Sequence, residues 1–139
     1  MRLVLDTNVA VAGLLWSGPP RRLIELAFEG EAVELFSTPA LLDELRRTLG
    51  YRKFAARIER FGASVPALVD QYAAIVSIII PAAVPRVVIA DADDDHVIAA
   101  AIAAKAELIV SGDRHLLSIS RYQDIAIVEA AEALRRIRA

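Results

Sequence analysis

Short apolar runs alternate with helical segments along this chain of 139 residues, and this alternation restricts the possible folds more than any other feature. Residues 3–5 and 107–111 are short runs rich in leucine, valine and isoleucine, typical of strands buried on both faces of a sheet. Residues 39–49 instead place their leucines at helical spacing. Strands that alternate with helices predict an α/β fold, a central parallel sheet flanked by α-helices on both faces.

The same reading gives bounds for the individual elements. The predicted strands are residues 3–5, 32–36, 75–80, 107–111 and 124–128. The predicted helices are residues 21–29, 39–49, 51–61, 65–74, 95–104 and 130–137, with a further short helix after Asp113. Because Thr38 can cap a helix and Pro39 suits its first turn, the helix at 39–49 has a well-marked start. No repeat, low-complexity tract or linker interrupts the sequence, so we expect residues 1–139 to form a single domain.

Composition adds limits on compartment and on cofactor chemistry. Hydrophobic residues make up 56% of the chain, above the usual ~45–50%, so a partner or a second copy can cover part of the apolar surface. The absence of cysteine excludes disulfides and thiolate metal sites, and fits a reducing compartment. The start of the chain does not resemble a signal peptide, and the longest apolar stretch, residues 73–84, is shorter than the ~20 residues of a membrane span. We expect a cytoplasmic protein without a membrane segment.

Charge is distributed unevenly along the chain, although the net charge is only −2. Residues 46–60 contain Arg46, Arg47, Arg52, Lys53, Arg57 and Arg60 against one acid, Glu59. Residues 91–95 contain four acids and no base. A basic surface beside an acidic pocket suits a polyanion that is cut at a metal site. A solvated helix face explains the basic run equally well.

Carboxylates occupy the positions where a parallel sheet places its ligand site. Asp6 ends the first strand and Asp113 follows the fourth, so both are expected at the carboxyl edge of the sheet. Asp95 opens a predicted helix, and Glu44 lies in the second turn of another. On a helical wheel Glu44 lies about 115° from the centre of the leucine stripe and Asp43 about 145°. Glu44 is therefore the better candidate to reach the sheet edge, and Asp43 the better solvent residue.

Four converging carboxylates indicate a hard divalent cation. Magnesium prefers oxygen ligands, and without a cation the four charges would repel one another strongly. A bound cation lowers the pKa of a water ligand and polarises a phosphoryl oxygen, and two cations can hold the attacking and leaving oxygens together. Zinc is disfavoured because the chain has no cysteine and only two histidines, His96 and His115.

Each of these residues also has a simpler explanation when it is taken alone. Aspartates at strand ends often cap a turn or a helix, and a glutamate on a helix is usually a surface residue. Thr7 and Asn8 can form a turn, the two histidines can be surface or capping groups, and Trp16 can be a packing or partner contact. The functional interpretation rests on the convergence of the acids on one edge of one sheet.

Four short motifs resemble those of the PIN domain family. The opening Leu-Val-Leu-Asp-Thr-Asn, residues 3–8, resembles the start of PIN domains, and residues 39–45 resemble the helix that carries the family glutamate. Residues 95–101 and 108–114 resemble the third and fourth acidic motifs. The order Asp, Glu, Asp, Asp is kept, and the resemblance runs nearly from end to end. The acidic run at 91–95 is most similar to the subgroup described as toxin components of toxin–antitoxin systems, related to VapC toxins.

This resemblance implies a PIN-like fold and a Mg²⁺- or Mn²⁺-dependent endoribonuclease. The implied metal ligands are Asp6, Glu44, Asp95 and Asp113. Thr7, Asn8 and Ser111 are then expected to orient carboxylates or waters. Asp94 is a possible substitute for Asp95, which is preferred because its spacing to Ile98 and Asp113 fits the family. The implied partners are an RNA substrate, a cognate antitoxin and a second copy in a homodimer.

Other classes of protein fit the sequence less well or remain open. A receiver domain would need a paired acid in the first strand and a lysine after the last, but Asp6 stands alone and Glu129 follows the last strand. A haloacid-dehalogenase-like phosphatase would need a second aspartate where Asn8 stands. A non-catalytic module that binds RNA or protein and an RNA-processing nuclease outside a toxin–antitoxin pair both remain alternatives.

Overall fold

A mostly parallel sheet with helices on both faces forms the centre of the structure, a computed structural model that describes residues 1–84 and 92–138. The described elements are β1 (Arg2–Leu5), α1 (Thr7–Leu15), α2 (Pro19–Glu29), β2 (Glu34–Ser37), α3 (Pro39–Leu49), α4 (Arg52–Arg60), α5 (Val65–Ile75), β3 (Ser77–Ile78), α6 (Ala92–Ala104), β4 (Leu108–Val110), α7 (Arg114–Ile119), β5 (Arg121–Tyr122), β6 (Ile125–Val128) and α8 (Ala130–Arg138). Of the predicted acidic run at 91–95, Asp91 lies outside the described residues.

The strand order places a crevice at the carboxyl ends of β1 and β4. The strands run in the order β3-β2-β1-β4-β6-β5, and the described pairs are parallel except for β5 with β6. Leu3 of β1 lies opposite Leu35 on one side and Leu108 on the other. From β1 the chain builds outward to β2 and β3 in one direction and to β4 and β6 in the other. A ligand site is expected where the order reverses in this way.

Alternate residues of the buried strands feed two separate cores, one on each face of the sheet. Leu3 and Leu5 of β1 pack in a core with residues of α1, α2, α3, α5 and α8. Val4 points to the opposite face, where Val97 and Ile98 of α6 cover it. Successive strand side chains point to opposite faces, so a strand buried on both sides is apolar throughout. This arrangement confirms the predicted α/β fold with helices on both faces.

The helix that follows β2 begins where the sequence predicts. The Thr38 hydroxyl accepts a hydrogen bond from the Leu41 N–H at 3.2 Å, and Pro39 occupies the first turn. The first N–H groups of a helix have no carbonyl partner within the helix, and the Thr38 side chain satisfies one of them. Pro39 has no N–H group, so it leaves none unsatisfied at its position. The side chain of Ser64 caps α5 in the same way, accepting from the Ala67 N–H. None of the described helices is long and apolar enough to cross a bilayer.

The largest differences from the sequence prediction concern the strands β3 and β5 and the helix α1. The third strand is only Ser77–Ile78, because Ile75 ends α5 and Val76 follows as its cap. The run at 75–80 is apolar and β-branched, and such runs do not by themselves distinguish a strand from the end of a buried helix. A short antiparallel strand, β5, was not predicted, and it pairs with β6 across a turn in which Gln123 has φ 53°.

The first helix, α1, was also not predicted. It starts directly after Asp6, so Thr7 and Asn8 belong to a helix and not to a simple turn. Its buried residues fall on most of its circumference, and a helix that is apolar all round has no amphipathic period to detect. α6 begins at Ala92, slightly earlier than predicted, and this places Asp94 and Asp95 in its first turn.

Candidate active site

Asp6 lies at the crevice between β1 and β4 and is only 5% exposed. Its backbone N–H donates to the carbonyl of Val110, the last residue of β4, at 2.9 Å. Its carboxylate accepts hydrogen bonds from the Thr7 N–H to Oδ1 at 2.8 Å and from the Ser111 hydroxyl to Oδ2 at 2.9 Å. Burial of a carboxylate is costly unless it is hydrogen-bonded or paired. These bonds hold Asp6 in one orientation at the edge of the sheet.

Ser111 joins the ends of the two central strands. It is 1% exposed and follows β4 directly. Its hydroxyl donates to Asp6 and accepts from the Asp113 N–H at 2.9 Å. A hydroxyl has one donor and two acceptor positions, so one small side chain can serve both partners. Ser111 therefore fixes Asp6 and the backbone of Asp113 relative to each other.

Asp113 caps the short helix α7 and is half-buried. Its Oδ1 accepts hydrogen bonds from the N–H groups of His115 and Leu116 at 2.7 and 3.2 Å. This is the capping role that the sequence left open as the simpler explanation. Asp113 also lies at the carboxyl edge of the sheet, because its N–H donates a hydrogen bond to the Ser111 hydroxyl. His115 is exposed.

Asp94 and Asp95 bring two more buried carboxylates to the first turn of α6. They are 5% and 2% exposed, and α6 packs against β1, β2, β4 and α3. The positive end of the helix dipole favours carboxylates in the first turn, but by only ~0.3–1 kcal/mol at exposed sites. Both residues are deeply buried, so burial does not distinguish the expected Asp95 from its alternative Asp94.

Glu44 lies in the second turn of α3 and is half-buried. Its neighbour Asp43 has a side chain that is 71% exposed and pairs with Arg46 at 3.4 Å. The difference in exposure agrees with the helical wheel, since Glu44 is turned toward the protein and Asp43 toward solvent. α3 packs against α1 and α6, the helices that carry Thr7 and Asp95.

Thr7 is buried next to Asp6, whereas Asn8 is exposed. Within the described part of the chain the Thr7 Oγ1 atom has no hydrogen-bond partner. A buried polar atom left without any partner, water included, would cost ~1–3 kcal/mol. Thr7 is therefore a polar group available beside the Asp6 carboxylate.

The donor chemistry of these residues fits a hard divalent cation, although they do not form a finished cage. Among the described side chains, which do not include those of residues 92 and 93, no three acidic or histidine groups lie close enough together to hold a metal ion. Like charges keep carboxylates apart, and a cation removes that repulsion. Each carboxylate oxygen can also accept more than one bond, so the hydrogen bonds to Asp6 leave it ligand capacity. A cation here would therefore draw its ligands together as it binds.

The larger of the two described surface grooves lies elsewhere, at the carboxyl end of α1. It has a volume of about 850 Å³ and contains none of the candidate carboxylates. Arg57 crosses it, donating to the Leu15 carbonyl at 2.7 Å with its guanidinium 4.8 Å from the Trp16 ring and 4.9 Å from the Phe61 ring. The predicted basic run is thus not one uniform face, because Arg57 packs between rings. Sequence reasoning missed this role, since the spacing of basic residues does not show which of them meets an aromatic ring.

The comparison with protein families places most of the chain in one known family. Residues 2–115 match the model of the family described as PIN domain, a range that includes all four candidate carboxylates. Comparisons with curated proteins and with solved structures give no match.

Proposed function

This chain belongs to the PIN domain family, whose members are generally nucleases, and from that premise we propose that it is a Mg²⁺- or Mn²⁺-dependent endoribonuclease. The proposed metal ligands are Asp6, Glu44, Asp95 and Asp113. The observation that carries the proposal is the buried Asp6 carboxylate, which Ser111 holds at the crevice between β1 and β4. A fixed anionic oxygen at that edge is the ligand that a hard cation requires.

Each residue of the site has a distinct part in the proposed reaction. A bound cation would supply an activated water and stabilise charge on the phosphoryl oxygens. Ser111 and the Thr7 N–H orient the Asp6 carboxylate, and an oriented ligand needs no reorganisation when the substrate arrives. The Thr7 hydroxyl and the exposed Asn8 amide are available to orient a water or the substrate. Asp113 caps α7 with Oδ1, and its second oxygen would be the one offered to the cation.

Asp95 is proposed as the third ligand, and Asp94 is its competitor in the same helical turn. The two alternatives make opposite predictions for a pair of matched variants. If Asp95 is the ligand, Asp95→Asn abolishes cleavage and Asp94→Asn retains most of it. The reverse result would assign the role to Asp94.

We further propose that the nuclease is the toxin of a type II toxin–antitoxin system and acts on RNA in the cytoplasm. The support is the resemblance of the acidic run at 91–95 to the toxin subgroup. On this proposal the chain forms a homodimer and a cognate antitoxin inhibits it. A short antitoxin-like reading frame next to this gene, and growth arrest on expression that co-expression of that frame relieves, are expected. Expression without growth arrest would favour an RNA-processing nuclease of the same family.

The decisive test of the activity is cleavage of a mixed RNA pool by the purified chain. Cutting is expected with Mg²⁺ or Mn²⁺, and it should disappear in EDTA and in Asp6→Asn. Asp70→Asn is the matched control, because it makes the same change at an exposed residue of α5. If the folded protein does not cut RNA with either Mg²⁺ or Mn²⁺, the nuclease mechanism is contradicted and a non-catalytic binding module is favoured. Equal cutting by Asp6→Asn would indicate a contaminating nuclease.

A further inference from the structure

A second described groove lies between α3 and α6 and has a volume of about 490 Å³. Its lining residues are Ala40, Asp43, Arg46, Arg47 and His96. The first four lie on α3, and His96 lies in the first turns of α6. Four of the five carry a charged group or an imidazole, so the groove offers a partner charge and hydrogen bonds.

This groove lies between the two helices that carry Glu44 and Asp95. At about 100° per residue, the four lining residues share one side of α3, and Glu44 is turned from their centre by about 90° toward the buried side. On the opposite wall, the half-buried His96 directly follows the buried Asp95. Two of the proposed metal ligands, Glu44 and Asp95, are thus sequence neighbours of residues that line the groove.

The charges in the groove differ in how they are compensated. Arg46 pairs with Asp43 at 3.4 Å. Arg47 is exposed and makes no ion pair with any residue that the structure describes. The two arginines and Asp43 thus leave one positive charge in excess, next to a site rich in carboxylates. An RNA strand that approaches those carboxylates is repelled unless cationic groups hold its neighbouring phosphates.

From this placement we propose that the groove binds the RNA backbone beside the scissile phosphate, with Arg47 as the main contact and Arg46 and His96 as supporting donors. The proposal rests on the nuclease function proposed above. A guanidinium matches two phosphate oxygens at once. Contacts to phosphates position a strand without reading its sequence, so this subsite sets affinity and register and leaves base preference to other residues. Asp43 weakens the subsite because it competes with phosphate for Arg46.

The test measures binding of a fluorescent single-stranded RNA by anisotropy in the Asp6→Asn background with Mg²⁺, so that cleavage does not interfere. Arg47→Ala should weaken binding by about tenfold and lower the slope of log K against log salt by about 0.7, as expected for one lost phosphate contact on a single strand. Asp43→Asn should tighten binding several-fold, because it releases Arg46. Arg135→Ala, the same change on α8 outside both grooves, should leave the affinity within about twofold. Thermal melts establish that each variant is folded.

The opposite signs for Arg47→Ala and Asp43→Asn separate a phosphate contact from a structural role, which would weaken binding in both variants. If Arg47→Ala and Asp43→Asn bind RNA with the affinity of Arg135→Ala, the proposed subsite is wrong. Metal-dependent cleavage by the wild type would then still support the nuclease function. If the two variants shift RNA affinity in opposite directions but the wild type does not cleave RNA, the subsite is supported and the proposed nuclease function is wrong. A polyglutamate peptide that binds through Arg47 while RNA does not bind would overturn the proposal in favour of an acidic protein partner.

Discussion

Replacement of Ser111 by alanine isolates the link between the two central strands. The Ser111→Ala variant removes one oxygen atom at a position that is 1% exposed. It deletes the hydrogen bond to the Asp6 carboxylate and leaves the Asp113 N–H without its acceptor, both at 2.9 Å in the wild type. Few other contacts change, because alanine keeps the Cβ atom and the backbone.

The expected cost follows from the nature of the two bonds. A hydrogen bond to a charged group contributes about 1.5–3 kcal/mol, and an unsatisfied N–H adds roughly 1 kcal/mol when it is partly buried. The free energy of unfolding should therefore fall by about 2–4 kcal/mol. For a chain of this size that corresponds to a decrease of roughly 10 °C in Tm.

Urea unfolding followed by circular dichroism measures this difference, and Ser111→Thr is the matched control. Threonine keeps the hydroxyl, so its stability should stay within about 1 kcal/mol of the wild type and its RNA cleavage should persist. Ser111→Ala should lose cleavage as well as stability, because Asp6 is no longer oriented. The reasoning is refuted if alanine is as stable as serine, or if threonine is as damaging as alanine.

Three further substitutions test other parts of the structure. Gly13→Ala would place a Cβ 2.6 Å from Ile24 Cδ1 and 3.0 Å from backbone atoms of Pro20. The helix-propensity gain of about 1 kcal/mol is smaller than an overpacking cost of about 1–3 kcal/mol. Urea unfolding should therefore show a lower free energy of unfolding for the variant. A higher one would contradict the close packing of α1 on α2. Thr7→Val removes a hydroxyl that has no hydrogen-bond partner among the described residues. The metal-free protein should be as stable as the wild type or up to about 1 kcal/mol more stable, while RNA cleavage falls, and a large destabilisation would contradict this. Burial raises the pKa of Tyr72 above its ordinary value, so its contribution to stability is complete below pH ~10 and is lost as pH rises beyond that. Unfolding at pH 8 and 10.5 should show a smaller alkaline loss in Tyr72→Phe than in the wild type, and identical losses would contradict the shift.

The sheet could be predicted from the sequence because its strands are buried on both faces. A run such as residues 3–5 has no polar position, and this points to a parallel sheet covered on both sides. α1 escaped prediction for a related reason, since a helix buried on most sides lacks the apolar period that identifies surface helices. The β-branched run at 75–80 indicated a full strand, but the end of α5 occupies its first residue.

The candidate site was predictable only to the level of its elements. Strand ends place Asp6 and Ser111 at one edge, yet their hydrogen bond depends on the pairing of β1 with β4 and joins residues 105 positions apart. No local pattern encodes such a contact. The helical wheel gave the relative burial of Glu44 and Asp43, because it needs only the direction of the buried stripe. The depth at which Asp94 is buried beside Asp95 depends on how α6 packs on the sheet.

The central claim, that these carboxylates act together on a cation, is tested most directly by a thermal titration with Mn²⁺. A ligand at a hundred times its Kd stabilises the folded state by about 2.7 kcal/mol. The Tm of the wild type and of the exposed control Asp70→Asn should therefore rise by several degrees. Asp6→Asn and Asp95→Asn should show no rise, with each variant compared with its own Tm in EDTA so that a change in its intrinsic stability does not enter the comparison. An equal Mn²⁺-dependent rise in Asp6→Asn and Asp95→Asn would contradict the account.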